Sequence, residues 1–365
     1  MRAGFCGKKT GNVVYYESIT RQWDIAVLCF QPFYQKITGG RRCREGTGYP
    51  AGQRRGKAEN KRRLMEIKMK RPELEDRELI NSYLKYADTR SCEMTFANTY
   101  LWSRHYGTGF AVVEDMLVFG EVDGVYSYTF PVGPGDLRTC LETLMACCRE
   151  KNVPFQLHNI TKEDFARLDA LYPGRFDIRY ERDYADYVYE ADKLAALSGK
   201  KYHSKKNHVN KFMSLYPDWS YEPITKGNVE ECFQMALRWR ELNGCEADEE
   251  KHAEICVTLN FLRLFEELQM RGGALRVNGE IVAFTVGEPV GMRQDTLVVH
   301  IEKAFSEIQG AYTVINQQFA IHEGKDFQYI NREDDVGQEG LRKAKLSYKP
   351  VFLIEKGVVR ERGLL

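Results

Sequence analysis

The ten cysteines form no Cys-x-x-Cys pair and no zinc-type spacing. Because they are spread over 365 residues, they do not indicate the dense disulfide framework of a small secreted domain. The longest apolar stretch, residues 25–34, is interrupted by Gln31 and Pro32, and it is shorter than the roughly 20 residues that a membrane helix needs. The N-terminus also lacks the ordered regions of a signal peptide. These absences predict a cytoplasmic protein with reduced thiols.

Net charge is also nearly absent, because 53 Lys and Arg residues face 52 Asp and Glu residues. The chain as a whole therefore gives no reason to expect a polyanionic partner. The charge is unevenly distributed, however, since residues 1–64 carry a net +10 and the remaining 301 residues carry a net −9. This asymmetry marks the first 64 residues as a separate segment.

Residues 1–64 show no sustained periodicity, and six glycines lie among arginines between residues 39 and 56. This composition predicts a poorly ordered basic leader. One interpretation is a basic arm that binds nucleic acid, and another is a start codon assigned too far upstream. We favour the second, because Lys61, Arg62 and Arg63 could be encoded by a purine-rich ribosome-binding sequence. We therefore expect the biological start at Met65.

The length predicts two domains, at residues 65–190 and 191–365, because a domain typically has about 100 to 200 residues. In the first of them we predict a helix over residues 75–86. The β-rich runs 110–119 and 125–130 follow, separated by a hairpin turn at Asp123-Gly124. Asp136 and Thr161 each precede an amphipathic run and are predicted helix caps.

The second half shows a clearer succession of elements. We predict a helix over residues 192–215, amphipathic helices over 229–237 and 255–265, and a hairpin at Asn278-Gly279. A strand at 296–301, a helix opened by Gly310 and a strand at 327–330 complete the order. This mixture predicts an α/β fold, or α+β with a mixed sheet. A looser version of the same order in the first half predicts a structural duplication.

Residues 199–211 are strongly basic and contain no acid, in a body whose charge is negative. On a helix, Lys201, Lys205 and His208 share one face, so a phosphate would meet cations and amide donors together. The alternative is an ordinary solvated helix face. Metal binding is disfavoured, because neighbouring lysines repel a cation. The candidate phosphate-binding residues are Lys201, Lys205, Lys206, Asn207 and His208.

Residues 331–350 place acids directly after a predicted strand and bases after the acids. Open α/β sheets bind ligands beyond their strand ends, so Asn331, Asp334 and Asp335 are candidate substrate-binding residues. The alternative is a helix with acids at its N-terminus and bases towards its C-terminus, which the helix dipole favours. His300, on the 296–301 strand, is a candidate general base or a structural histidine.

The loop from Glu307 to Tyr312 lies where N-acetyltransferases of the GNAT superfamily carry Arg/Gln-x-x-Gly-x-Gly/Ala. In that motif, backbone N–H groups at a helix start bind the pyrophosphate of coenzyme A. Gly310 fits the pattern, and we take it as a candidate substrate-binding residue. Glu307 and Tyr312 do not fit, because the pattern has a donor and a small residue at these positions. Coenzyme A is therefore the less favoured donor.

The stretches 199–212 and 330–350 together resemble the phosphatidylglycerol lysyltransferase C-terminal domain family, over about residues 65–360. The resemblance implies two tandem GNAT-like acyltransferase domains. Characterised members, and the similar Fem-type transferases, move an aminoacyl group from charged tRNA to a lipid hydroxyl or a peptide amine. By this resemblance the basic helix would bind donor phosphates, while Arg342 and Lys345 would lie near the reacting carbonyl and stabilise its oxyanion.

The sequence thus predicts a soluble acyl- or aminoacyl-transferase. By the same resemblance, the expected donor is aminoacyl-tRNA, and the expected acceptor is a lipid hydroxyl or a peptide or small-molecule amine. No tightly bound cofactor and no metal are expected. Direct attack without a covalent enzyme intermediate is predicted, because no nucleophile with an adjacent base is visible. One alternative is an N-acyltransferase that uses a coenzyme A thioester, and another is an inactive module that binds phosphate or RNA.

Overall fold

The computed structural model describes residues 67–122, 126–245 and 248–363. The predictions for residues 1–64, for the start at Met65 and for the Asp123-Gly124 turn lie outside the described residues. Within the described ranges, the strands are β1 (Thr108–Val113), β2 (Met116–Glu121), β3 (Ser127–Tyr128), β4 (Gln156–Thr161), β5 (Phe176–Tyr180), β6 (Asp186–Glu190), β7 (Ser220–Pro223), β8 (Arg271–Val277), β9 (Glu280–Val290), β10 (Thr296–Ala304), β11 (Tyr329–Asn331), β12 (Phe352–Ile354) and β13 (Lys356–Glu361).

The helices lie between these strands and, in the first half, before them. They are α1 (Arg77–Leu84), α2 (Phe96–Tyr106), α3 (Leu137–Lys151), α4 (Lys162–Leu171), α5 (Ala191–Ala196), α6 (His203–Leu215), α7 (Val229–Leu242), α8 (Glu249–Arg263), α9 (Ala311–His322) and α10 (Glu339–Ser347).

The strands form two mixed sheets with matching architecture. The first sheet has the order β1-β2-β3-β4-β13-β5, and the second has the order β12-β6-β11-β10-β9-β8-β7. Each sheet contains one parallel pair, β3 with β4 and β10 with β11, while its other pairs are antiparallel. A helix connects the strands of each parallel pair, as such crossovers require. The predicted mixed α/β fold is confirmed, and the matching strand orders of the two sheets confirm the predicted structural duplication.

The two halves exchange one strand each. Strand β6 belongs to the first predicted domain, residues 65–190, but lies between β11 and β12 of the second sheet. Strand β13, at the end of the chain, lies between β4 and β5 of the first sheet. Residues 63–365 form one compact unit. The domain boundary between residues 190 and 191 stays a prediction, and each predicted domain contributes a strand to the other's sheet.

The apolar core follows the two sheets. A large cluster includes Phe284, Ile315 and Phe319 of the second sheet and its helix α9. A smaller cluster includes Leu144 of α3 and Leu157 of β4 under the first sheet. Helix α3 buries its predicted apolar face there, so its one-sided pattern specifies where it packs.

Local capping and turn signals are largely confirmed. Asp136 accepts a hydrogen bond from the N–H of Thr139, and Thr161 accepts one from the N–H of Asp164. The hairpin between β8 and β9 turns at Asn278-Gly279, as predicted. Residues 110–119, expected as one β-rich run, instead fold into the hairpin β1–β2. Its turn is at Glu114 and Asp115, which both adopt positive φ, of 50° and 57°.

The prediction of one helix over residues 192–215 is wrong. Helix α5 ends at Ala196, and α6 begins at His203. Leu197 and Gly199 have φ values of 44° and 90°, which are outside the right-handed helical region. A short 3-10 turn at Lys200–Tyr202 then leads into α6. Lys201 therefore lies in the 3-10 turn before α6, while the other candidate phosphate-binding residues lie on α6 itself.

Candidate functional site

The pairing of the parallel strands β10 and β11 ends partway along β10, and we call the space between the two chain segments beyond the last pair the gap. Their pairing covers only Thr296 to Val298 on β10, which is matched to Tyr329 to Asn331 on β11. Strand β10 continues to Ala304, while β11 ends at Asn331. A β-bulge between Val299 and Ile301 lies at the start of the divergence. Diverging parallel strands and bulges are common at ligand sites of open sheets, so this gap is the candidate functional site.

On the side of helix α9, an ion pair crosses the gap. Arg332 Nη2 donates to Glu302 Oε1 at 2.8 Å, and Asn316 Nδ2 of α9 donates to Glu302 Oε2 at 3.1 Å. The Arg332 guanidinium also lies over the ring of Tyr348, with its Cζ 4.9 Å from the ring centroid. Glu302, Arg332 and Tyr348 were not among the candidates from the sequence. The only sequence signal for Arg332 was its place within the 331–350 motif.

On the side of helix α8, His300 lies at the bulge between two carboxylates. Its Nδ1 is 2.7 Å from Glu333 Oε1 and its Nε2 is 3.1 Å from Glu288 Oε1. The ring stacks on Phe261 of α8. The side chain is only 2% exposed although the residue as a whole is partly exposed, so the exposed atoms belong to its main chain. The bulge therefore presents backbone, and not imidazole, to the solvent.

The charge state of His300 argues against the role of general base. Burial alone would lower the pKa of the imidazole, but its hydrogen bonds to Glu288 and Glu333 raise that pKa to about 9. At neutral pH the ring is therefore a cation with both nitrogens engaged. The charged ring pairs with Glu288 of β9 and with Glu333, just beyond β11, and so links these two chain segments. A catalytic role for His300 stays a prediction, and this geometry favours a positioning role.

The raised pKa of His300 predicts a loss of stability at alkaline pH. The pKa of His300 is about 6.5 in the unfolded chain and about 9 in the folded protein. Its protonation therefore stabilises the fold fully below pH 6.5, and this contribution is lost as the pH rises through about 9. We expect the free energy of unfolding to fall by on the order of 3 kcal/mol from this source. Urea denaturation at several pH values measures it. The His300→Gln variant should show a flatter pH curve, whereas the exposed-site variant His208→Gln should match the wild type; identical curves for all three would contradict the assignment.

Asp334, just beyond the end of β11, has a carboxyl group with a raised pKa. Burial raises the pKa of its carboxyl to about 7; the charge of Lys356 opposes this shift, and the nearby carboxylates of Asp186 and Glu333 add to it. One oxygen accepts a hydrogen bond from the N–H of Val336 at 3.1 Å. A carboxyl with such a pKa can take and return a proton at neutral pH.

Asp335 and Arg342 neutralise each other. Arg342 donates to both oxygens of Asp335, at 2.9 and 2.7 Å, and to Asp183 at 2.7 Å. The Tyr187 hydroxyl also donates to the fully buried Asp335. These donors outweigh the effect of burial and hold the pKa of Asp335 at about 2. Both predicted roles, substrate binding by Asp335 and oxyanion stabilisation by Arg342, stay untested predictions, and both side chains already have strong protein partners.

Lys345 and Asn331 fix the chain segment that carries Asp334. The buried Lys345 ammonium donates to the main-chain carbonyls of Arg332 and Asp334, and burial lowers its pKa. Asn331 donates from Nδ2 to Asp186 and to the carbonyl of Arg90. Within the described residues, two of the three Lys345 protons are used in hydrogen bonds to main-chain carbonyls, which leaves one for the predicted oxyanion role.

The basic helix α6 and the Gly310 loop lie against each other. A Cβ on Gly310, whose φ is 91°, would lie 2.7 Å from the carbonyl oxygen of His208. Lys205 reaches the Tyr348 ring, with its Nζ 3.9 Å from the centroid. The structure therefore brings two features predicted separately to the same edge of the gap. The remaining candidate phosphate-binding residues are exposed: Lys201, Lys206, Asn207 and His208.

A buried ion cluster lies where the exchanged strands begin. Lys356 Nζ contacts Asp186 Oδ1 at 2.7 Å and also Glu93, and both Lys356 and Asp186 are at most 1% exposed. Cys92, Glu93 and Asp186 have the spacing of a metal-binding group. The Lys356 ammonium, however, already supplies the cation to both carboxylates. None of these four residues was predicted from the sequence to be functional.

Comparison with known proteins gives a match over most of the chain. The family model described as phosphatidylglycerol lysyltransferase, C-terminal, matches residues 84–359. An uncharacterised protein of Mycoplasmoides gallisepticum is 26% identical over 177 residues, which are 48% of this chain and 56% of that protein. The chain therefore matches only about half the length of that curated relative. Among the residues that the structure describes, no helix has the length and apolar character needed to cross a membrane.

Solved structures include a more similar relative. A conserved protein of unknown function from Bacteroides thetaiotaomicron is 41% identical, with a TM-score of 0.76, covering 81% of this chain and 100% of that chain. L-PGS from Bacillus licheniformis is 15% identical, with a TM-score of 0.55, covering 82% of this chain and 95% of that chain. At that identity, the second likeness is one of fold.

Proposed function

We propose that this chain, which belongs to the phosphatidylglycerol lysyltransferase C-terminal family, transfers an aminoacyl group from aminoacyl-tRNA to a hydroxyl or amine acceptor. Family and fold relate the protein to acyltransferases. The observation that carries the finer proposal is the arrangement around the gap. Asp334, with its pKa near 7, lies beyond β11, and the basic helix α6 borders the same region. A proton acceptor and a polyanion-binding surface are the two parts that this reaction needs.

The reaction forms one bond and breaks one bond. The acceptor oxygen or nitrogen attacks the ester carbonyl of the donor, and Asp334 takes the proton that the acceptor loses. The tetrahedral intermediate then breaks its bond to the ribose oxygen of the tRNA, and that oxygen takes the proton from Asp334 and leaves as a hydroxyl group. The remaining Lys345 proton and the exposed main chain at the His300 bulge are the groups available for the oxyanion. No cofactor is consumed.

The positive charge of the basic segment favours tRNA as the donor. Helix α6 exposes Lys206 beside the exposed Lys201, and these suit the repeated phosphates of a nucleic acid. Coenzyme A is less well supported as the donor, because the His208 carbonyl lies against Gly310 at the start of α9. Glu307 is also exposed on that loop and would repel a pyrophosphate.

The proposal predicts salt-sensitive tRNA binding through the basic segment. Filter binding of charged tRNA to the protein should weaken steeply with salt. A triple alanine variant of Lys201, Lys205 and Lys206 should lower the slope of log K against log salt by about 2 to 3, because each lost phosphate contact removes roughly 0.7 to 0.9. A matched triple variant of Lys226, Lys251 and Lys325, which lie outside α6, should keep the wild-type slope.

Transfer itself is tested with tRNA carrying a labelled amino acid. Label should move to a lipid, peptide or amine fraction in the presence of the protein. The proposal would be refuted if no acceptor fraction gained label and the triple alanine variant bound tRNA as well as the wild type. A rise in melting temperature with acetyl-CoA would instead favour the coenzyme A alternative. Tight RNA binding without transfer would identify a binding module.

A further inference from the structure

Lys205 differs from the other lysines of helix α6 in its surroundings. Its ammonium lies over the Tyr348 ring, and no carboxylate forms an ion pair with it among the described residues. Burial and, to a smaller extent, the charge of Arg332 together lower the pKa of Lys205 to about 8, and the charge of Glu302 opposes this shift. Without a ligand, this environment disfavours the charged lysine.

The Arg332 guanidinium lies over the same ring, and its hydrogen-bonding capacity is also only partly used. Its Nη2 pairs with Glu302, but its buried Nη1 has no hydrogen-bond partner in the part of the chain that the structure describes. The Tyr348 ring is buried, and its hydroxyl forms a hydrogen bond with Thr313 of α9. This bond fixes the ring against which both Lys205 and Arg332 lie. Lys205 and Arg332 thus share the single carboxylate of Glu302. One positive charge and the Nη1 donor of Arg332 are therefore left to bind an anion.

We propose that Lys205 and Arg332, held on Tyr348, form a subsite for a single phosphate group, that of the terminal nucleotide of a tRNA donor. A guanidinium can donate two parallel hydrogen bonds to phosphate oxygens, and an ammonium adds a compact positive charge. Lys205 is partly exposed, so the ligand enters by displacing its side chain from the ring. A nucleic acid is favoured over a lipid headgroup because Lys206 on the same helix and Lys201 before it continue the positive surface towards further phosphates. This inference rests on the proposed function.

The test uses 5′-AMP, which carries one phosphate, against adenosine, which carries none. AMP should raise the melting temperature of the protein by binding the folded state, and adenosine should not. Lys205→Met should weaken AMP binding by roughly tenfold or more, the loss expected for one charge-assisted hydrogen bond. Lys211→Met, an exposed position on the same helix, should change it by less than about twofold.

Two further measurements separate a binding role from a structural one. The ligand-free Lys205→Met protein should be as stable as the wild type or more stable, since an unpaired, partly buried charge has been removed. Arg332→Lys should keep the charge opposite Glu302 while losing the unpartnered Nη1, and it should also bind AMP more weakly.

The outcomes decide the subsite independently of the reaction. Equal AMP binding by wild type and Lys205→Met would overturn the subsite. Tighter binding of glycerol 3-phosphate than of AMP would overturn the nucleotide assignment and point to a lipid headgroup. AMP binding that requires Lys205, in a protein that transfers no aminoacyl group, would support the phosphate subsite while removing the proposed reaction.

Discussion

Replacing Lys356 by methionine is expected to lower the free energy of unfolding by about 3 to 5 kcal/mol, because a buried ion pair is broken and its carboxylate is left uncompensated. Lys356 begins β13 and Asp186 begins β6, so their contact joins the two exchanged strands. Burial alone would lower the pKa of Lys356, but the negative charges of Asp186 and Glu93 raise it well above its usual value. The ammonium therefore stays charged at any pH of interest. Urea denaturation of the two proteins measures the difference.

The matched control is the exposed ion pair of Lys162 with Glu355, the residue just before Lys356. Lys162→Ala should cost no more than about 1 kcal/mol, as exposed pairs typically do. The double variant Lys356→Met, Asp186→Asn should recover part of the loss, since it removes the unpaired charge. A loss in Lys356→Met as small as that in Lys162→Ala would mean that the cluster does not secure the exchange.

The elements that the sequence predicted correctly are those with local signals. The Asn278-Gly279 turn needs positive φ at two successive residues, and these residue types supply it at low cost. The caps at Asp136 and Thr161 depend on residues only three positions away. The break before α6 was missed because the charge run around it obscured Gly199, whose φ of 90° ends helical geometry.

The strand exchange and the buried cluster could not be predicted from one sequence. Lys356 and Asp186 are 170 residues apart, and no local pattern pairs them. The one available signal was the position of Lys356 between the apolar pairs at 353–354 and 358–359, where a charge requires a buried partner. The acidic and basic residues of the 331–350 motif were correctly placed beside a strand end. The sequence did not reveal that Asp335 and Arg342 pair with each other and leave Asp334 with the shifted pKa.

Replacing Asp334 by asparagine is expected to lower kcat of the proposed transfer by about 10² to 10⁴ while KM changes little, because the proton acceptor is lost and the shape of the side chain is kept. In the wild type, activity should rise as pH increases through about 7, since the ionised carboxylate is the form that accepts a proton. The variant should lose that rise. Initial rates of labelled aminoacyl transfer between pH 5.5 and 8.5 measure both effects.

Stability distinguishes this role from a structural one. The pKa of Asp334 is raised above its unfolded value of 3.8 to about 7, so its ionised form destabilises the fold, and this cost is fully present only above that pH. Asp334→Asn should therefore be as stable as the wild type at pH 8, or more stable, while its turnover falls. Glu339→Gln, which changes an exposed acid paired with Lys343, should keep both turnover and stability. Wild-type turnover in Asp334→Asn would show that the acceptor's proton goes elsewhere, and a loss of stability would mean that Asp334 acts through the fold.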